Sequence, residues 1–186
     1  MANLDRPLGL RALSAGVAGT APRLTQYAVS ATLTAAIYEG DLVYKGALGI
    51  VAVADATDTT EVQNIIGVAA NYVAATPGAD KKVHVYDDPA QKFLVQVDDN
   101  AISTAALEIE SIGKYARATV VTGNTSTLQS KMELDGSSIT SVASTWECLQ
   151  VLAKDSRSVA SGSWADVEVQ INPAFHIYSS NHTRST

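Results

Sequence analysis

Three histidines, one cysteine and several close-set acids are the residues whose chemistry would make this chain an enzyme or a metal protein. His84, His176 and His182 show no zinc-ligand spacing, and the single Cys148 adds no partner. Cys148 lies in Trp146-Glu147-Cys148-Leu149-Gln150-Val151-Leu152, a strand-like run where it reads as a small core residue, not a nucleophile. Asp87-Asp88 and Asp98-Asp99 have the look of paired carboxylates. Neighbours along a strand point to opposite faces, however, so adjacent acids are poorly placed to share a proton. Turn formation accounts for the first pair and strand termination for the second. Asp55, Asp58 and Glu61 offer oxygens for calcium but lack the glycine and spacing of a calcium loop. No G-x-S-x-G elbow, P-loop or G-x-G-x-x-G is present. Asn124-Thr125-Ser126 and Asn181-His182-Thr183 match the short glycosylation pattern. Tyr178 and Trp164 would suit stacking on a sugar, although a core or interface role is the simpler reading. These residues point to no catalysis, no cofactor and no metal.

The elements that would position any site are strands. In Lys81–Asp99, Val83 and Val85 alternate with Lys82, His84 and Tyr86, and Phe93, Val95 and Val97 alternate with Lys92, Leu94 and Gln96. That period of two predicts paired strands with one buried face, and places His84 on the polar side. Between them Asp88 suits the first position of a type I turn and Pro89 the second, so the stretch reads as a central β-hairpin. Further strands are expected at Leu24–Ser30, Leu33–Tyr38, Leu42–Lys45, Leu48–Ala54, Asn64–Ala74, Tyr115–Val121, Thr145–Lys154 and Trp164–Asn172. Leu48–Ala54 and Asn64–Ala74 are continuous small-aliphatic runs, as in strands buried on both faces. Asp55–Gln63 reads as a polar loop and Leu128–Ser144 as mostly looped. Ser103 or Thr104 would cap one short helix carrying Ala105, Leu107, Ile109 and Ile112, stopped by Gly113. The expected class is mostly β, a single β-barrel or β-sandwich domain over residues 24–173. An extended N-terminal arm (1–23) and a polar C-terminal tail (174–186) flank it.

Composition narrows the partners. Thirteen basic and nineteen acidic side chains leave a net charge of −6, and the basic residues are scattered, so nucleic acid is not an expected partner. Only 17% of residues are charged, against about 25% in an average domain. A surface of small uncharged residues suits extensive subunit contacts. One cysteine allows no intrachain disulfide, which fits a reducing compartment. No stretch approaches the roughly 20 apolar residues of a membrane helix, so no membrane partner is expected. Met1–Ala21 is too rich in Gly and Ser, with Asp5 misplaced, to read as a signal peptide.

Several segments, taken in order, carry a resemblance. They are Asn3–Arg11 (N-L-D-R-P-L-G-L-R), Glu39–Val43 (E-G-D-L-V), Val85–Gln96 (V-Y-D-D-P-A-Q-K-F-L-V-Q), Ile112–Ala116 (I-G-K-Y-A), Ser130–Ser137 (S-K-M-E-L-D-G-S) and Val167–His176 (V-E-V-Q-I-N-P-A-F-H). The succession resembles the decoration, or cement, proteins of tailed-bacteriophage heads. It departs from that pattern at Asn71–Thr76, where members often carry an aromatic, acidic segment. The usual Asn-x-His close is also stretched here to Asn172–His176.

The resemblance implies a non-enzymatic virion protein on the outer capsid surface, made in the bacterial host cytoplasm. It would bridge neighbouring subunits of the major capsid protein, as a homotrimer, and so stabilise the head. The arm would supply the contacts, with Leu4, Arg6, Leu8, Leu10, Arg11, Leu13 and Val17 against the shell. Ordering such an arm costs about 1–2 kcal/mol per residue, which apolar burial must offset. The arm reads as separable, so its removal is expected to leave the β fold intact. The nearest rival is a phage tail or fibre component; a carbohydrate-binding β-sandwich module is further off.

Overall fold

A computed structural model describes residues 4–13, 22–30, 33–47, 49–53, 59–75, 81–98, 109–143, 146–158 and 164–179. The period-two runs become strands, arranged in two five-stranded antiparallel sheets. The first sheet has the order β1 (Arg11–Ala12), β7 (Lys92–Gln96), β12 (Asp166–Ile171), β11 (Leu149–Lys154) and β8 (Tyr115–Ala116). The second runs β2 (Leu24–Ala28), β6 (Lys82–Tyr86), β5 (Ile65–Ala69), β3 (Leu42–Gly46) and β4 (Gly49–Ala52). A small ribbon pairs β9 (Ala118–Thr119) with β10 (Glu133–Leu134). Both large sheets are open, so of the two expected architectures the chain takes the sandwich-like one and not the closed barrel.

One apolar cluster lies between the sheets. Phe93, Val95, Leu149, Val151, Val167, Val169 and Ile171 from the first sheet meet Leu42, Ile65 and Val68 from the second. Side chains of this size each contribute about 1.5–3 kcal/mol when fully buried. A second cluster covers the other face of the second sheet, with Val43, Ile66, Ala69, Val83 and Val85 under Val29, Leu33, Ile37 and Val73. The middle of the second sheet is therefore covered on both sides and β5 is buried at every residue, as its unbroken aliphatic run required, whereas Lys82 and His84 of β6 and alternate residues of β2 stay exposed. In β12, Val167, Val169 and Ile171 are buried while Asp166, Glu168 and Gln170 are half-buried, the alternation the sequence displays.

The expected central hairpin does not form. β6 pairs with β2 and β5, whereas β7 pairs with β1 and β12, so the chain passes from one sheet to the other at Asp87–Gln91. The turn itself is as expected: the Gln91 amide donates to the Asp88 carbonyl at 2.9 Å, and Asp88 Oδ1 accepts from the Ala90 amide. Type I turn chemistry is common to hairpins and to arches between sheets. What selects the arch is Asp87, fully buried, whose Oδ2 accepts from Arg23 Nη2 at 2.9 Å and from the Tyr27 hydroxyl at 2.5 Å. Tyr86 and Phe93 then meet edge to face across the gap, with ring centroids 6.4 Å apart.

Other expectations shift for similar reasons. Leu33–Tyr38 gives Leu33, Ile37 and Tyr38 to the buried set without being strand: the Leu33 amide turns back onto the Ser30 carbonyl, and only Ile37 of the segment bridges, to Val73. The polar 55–63 segment ends in a four-residue helix, α1 (Thr59–Val62), because Val62 is buried in the inter-sheet core. Of the helix expected near 103–113, residues 109–111 are helical and 99–108 lie outside the described residues. The supposed polar tail folds in at its start. Phe175 and His176 are buried, and the Ile177 amide donates to the Ile65 carbonyl.

Burial pushes the Asp87 carboxyl up, yet its hydrogen bonds and the Arg23 charge outweigh that, and it sits below its ordinary value. A depressed acid contributes stability above its unfolded value and loses it as pH falls through the folded one. Asp87→Ala is expected to cost about 2–4 kcal/mol in urea unfolding near neutral pH, and to shrink the acid-induced loss of stability. An unchanged acid limb in the variant would exclude this carboxylate as the clamp of the arch.

Candidate interaction surface

The N-terminal residues named by the sequence do not form a free arm. Arg11 and Ala12 pair as β1 with Leu94 and Phe93, adding an edge strand to the first sheet. Leu10 is 2% exposed and belongs to the inter-sheet core, so it is not available to a partner. Two glutamines of the β7 region fasten the segment at either end. Gln96 accepts the Arg6 amide at 2.8 Å on Oε1 and donates to the Leu4 carbonyl at 2.9 Å from Nε2. Gln91 Nε2 donates to the Leu13 carbonyl at 2.6 Å, and the Leu13 amide donates to the Lys92 carbonyl. A side-chain amide carries both a donor and an acceptor, so each glutamine does what another strand's backbone would do.

The crossing point is Gly9. Its φ of +66° is left-handed, and a Cβ there would stand 2.4 Å from the Ser130 Cβ and 2.8 Å from the Gly40 carbonyl oxygen. Next to it the Leu10 amide donates to that same carbonyl at 3.0 Å, and the Ser130 amide donates to the Glu39 carbonyl. Segments 8–10, 39–41 and 130–132 are thereby laced together.

What the segment leaves outward is narrower than the sequence implied. Leu4 is 61% and Leu8 37% exposed. Arg11 reaches Asp166 at 3.5 Å, an exposed pair worth little on its own. Arg6 and Leu13 act here through their backbones. Val17 lies outside the described residues. Leu24, Ile109, Ile112 and Val142 are further large apolar side chains at the surface.

The segment also meets acids. Burial raises the Glu133 carboxyl from 4.5 to about 7, with the charges of Asp5 and Asp98 adding to the shift. Asp98 lies just past the end of β7, as its reading as a strand stop requires, and also accepts from the Thr119 hydroxyl at 2.7 Å and the Gly136 amide at 3.1 Å. His84 is exposed beside Gln26 and Asn71, on the polar side as expected. Cys148 is buried and its thiol is pushed up to about 12 by burial, as suits a core position. Tyr178 and Trp164 do not converge. Tyr178 shares a hydrogen bond with Tyr27 on the second sheet, while Trp164 leads into β12 of the first. Among the described residues no group of three or more His, Cys, Asp or Glu is placed to hold a metal.

The sequence reading missed Gln91, Gln96 and Asp87 as anchors. Glutamine in a strand carries no motif, and only its burial at Gln91 and Gln96 marks it out. Compared with protein-family models, curated proteins and solved structures, the chain finds no match in any of the three.

A raised carboxyl contributes stability below its unfolded value and loses it as pH climbs through the folded one. Thermal stability should therefore decline between about pH 4.5 and 7 through Glu133, and Glu133→Gln should flatten that decline. Melting curves across this range read it out; an identical slope in both proteins would exclude Glu133. Separately, Gly9→Ala should destabilise by about 1–3 kcal/mol, through the forced backbone and the clash with Ser130. Hydrogen exchange should report it as lost protection at the Leu10 and Leu13 amides.

Proposed function

We propose that this chain is a structural head protein of a tailed bacteriophage, decorating the capsid and bridging major capsid protein subunits, as a homotrimer. The ordered run of motifs from Asn3 to His176 motivates the reading. The observation that carries it further is the N-terminal strap: Leu10 plugs the core, glutamines clamp both ends, and Leu4 and Leu8 are left facing outward.

Physically, the strap works as a fixed hook and not as a loose tether. Because residues 4–13 are already ordered on the body, much of the ordering cost falls on folding instead of on binding. Each hook is small. Several on one assembly multiply into firm retention, since the second contact is made at the high effective concentration set by the first. The scarcity of surface charge keeps the desolvation cost of a broad contact low. Removing the whole segment would take Leu10 out of the core, so the fold is not expected to survive that deletion unchanged.

Point changes are the cleaner test. Leu4→Asp with Leu8→Asp should leave the melting temperature within a few degrees, because both side chains are exposed. Co-sedimentation with undecorated shells of the cognate phage should fall at least about tenfold, a loss of roughly 1.4 kcal/mol or more. Full retention on shells by the double variant would remove the hook from the mechanism. Binding to purified tails in place of shells would favour the tail component.

A further inference from the structure

A cleft of about 730 Å³ opens on the second sheet, with Asp41 and Met132 in its lining. Its lining includes three tyrosines, Tyr38, Tyr44 and Tyr72, and two carboxylates, Asp41 and Glu61. Among the described lining residues there is no lysine, arginine or histidine. We propose that this cleft is a binding site for a cationic group, a guanidinium or ammonium, held by tyrosine rings and carboxylates together.

The geometry is built from several parts of the chain. Tyr38 is 7% exposed and fixed: the Gly123 backbone lies against its ring, where a Cβ would come within 2.3 Å of Cγ. Tyr72 leans on it with centroids 5.4 Å apart and planes at 54°. The Tyr44 hydroxyl donates to Glu61 Oε1 at 3.4 Å. Asp41 accepts the Tyr38 amide at 2.7 Å, which holds its carboxylate at the cleft wall. Gly123 has a physical reason to be glycine here, since any side chain would displace the Tyr38 ring. One positive charge does stand near the cleft wall: the Lys81 ammonium donates to the carbonyl of the lining residue Ala74 at 2.7 Å.

The electrostatics favour a cation over a neutral ligand. Burial raises the Asp41 carboxyl from 3.8 to about 6, so its negative form is poorly solvated where it stands. A cation entering beside it would offset the burial penalty that the hydrogen bonds from Ser130 and the Tyr38 amide only partly relieve, and would meet the ring quadrupoles as well. A neutral sugar would gain stacking and hydrogen bonds but would not relieve the burial penalty on the Asp41 carboxylate. The source of the cation is either a basic side chain of a protein partner or a small free amine. The inference stands independently of the shell reading.

Two-dimensional NMR titration of the full chain separates these possibilities. The probes are N-acetyl-arginine amide, choline, the uncharged N-acetyl-citrulline amide and glucose. The arginine probe should shift the Tyr72, Thr122 and Gly123 amides, with affinity in roughly the millimolar range expected of one side chain. Choline binding more tightly than arginine would point to a free amine; the reverse would point to a partner's side chain. Glu61→Gln should weaken the charged probes at least about fivefold without altering the melting curve, and Asp41→Asn should do the same where it folds. Citrulline or glucose binding as well as arginine, or no shift at these amides with either cation, would overturn the proposal.

Discussion

The buried carboxylate of Asp87 is the constraint on which the rest of the molecule depends. It stands where the chain leaves one sheet for the other, and it holds Arg23, just before β2, and Tyr27, near the end of that strand, against the chain that follows β6. A carboxylate without water costs several kcal/mol, so it is tolerated only with donors of this strength in place. Burial and the hydrogen bond to Asp87 raise the Tyr27 hydroxyl, which stays protonated and able to donate. Tyr178 in turn reaches Tyr27 at 3.1 Å, so the segment after β12 closes onto the same group. Three distant stretches of sequence thus meet around Asp87 Oδ2 and the Tyr27 hydroxyl.

From that arch follow the two surfaces of interest. Sending β7 into the first sheet leaves its outer edge open, and the N-terminal strap fills it as β1. A short, covered edge is also protection against unwanted strand pairing. Keeping β6 in the second sheet, meanwhile, buries Val83 and Val85 in the second cluster. The 33–38 and 73–75 segments then lie over that sheet, and with Tyr38, Tyr72 and Met132 they wall the acidic, aromatic cleft.

The hook and the cleft differ in what they offer a partner. The hook presents leucines on a pinned backbone and asks only for an apolar recess. The cleft is lined by carboxylates and phenols, so it discriminates by charge. Their shared feature is preorganisation: side-chain amides, glycine crossings and a buried turn set their positions before any partner arrives.

By itself the amino-acid sequence determined the β class, most strand positions and, in strands such as β12, which side chains face inward, since alternation is a local property of the pleated backbone; β7, buried at Leu94 and Gln96 as well, departs from it. Val167, Val169 and Ile171 are legible that way, as is the doubly buried β5. It also placed the Asp88–Gln91 turn and the core role of Cys148. Only the tertiary structure decided which strands pair, because hairpin and arch use the same Asp-Pro turn and differ in contacts far apart in sequence. It likewise decided that Leu10 is core while Leu4 is surface, although both are leucines in the same unpatterned leader. Gln91 and Gln96 were invisible as clamps for the same reason: a glutamine's role is set by what lies within hydrogen-bond reach, and that is a fact of folding, not of spacing.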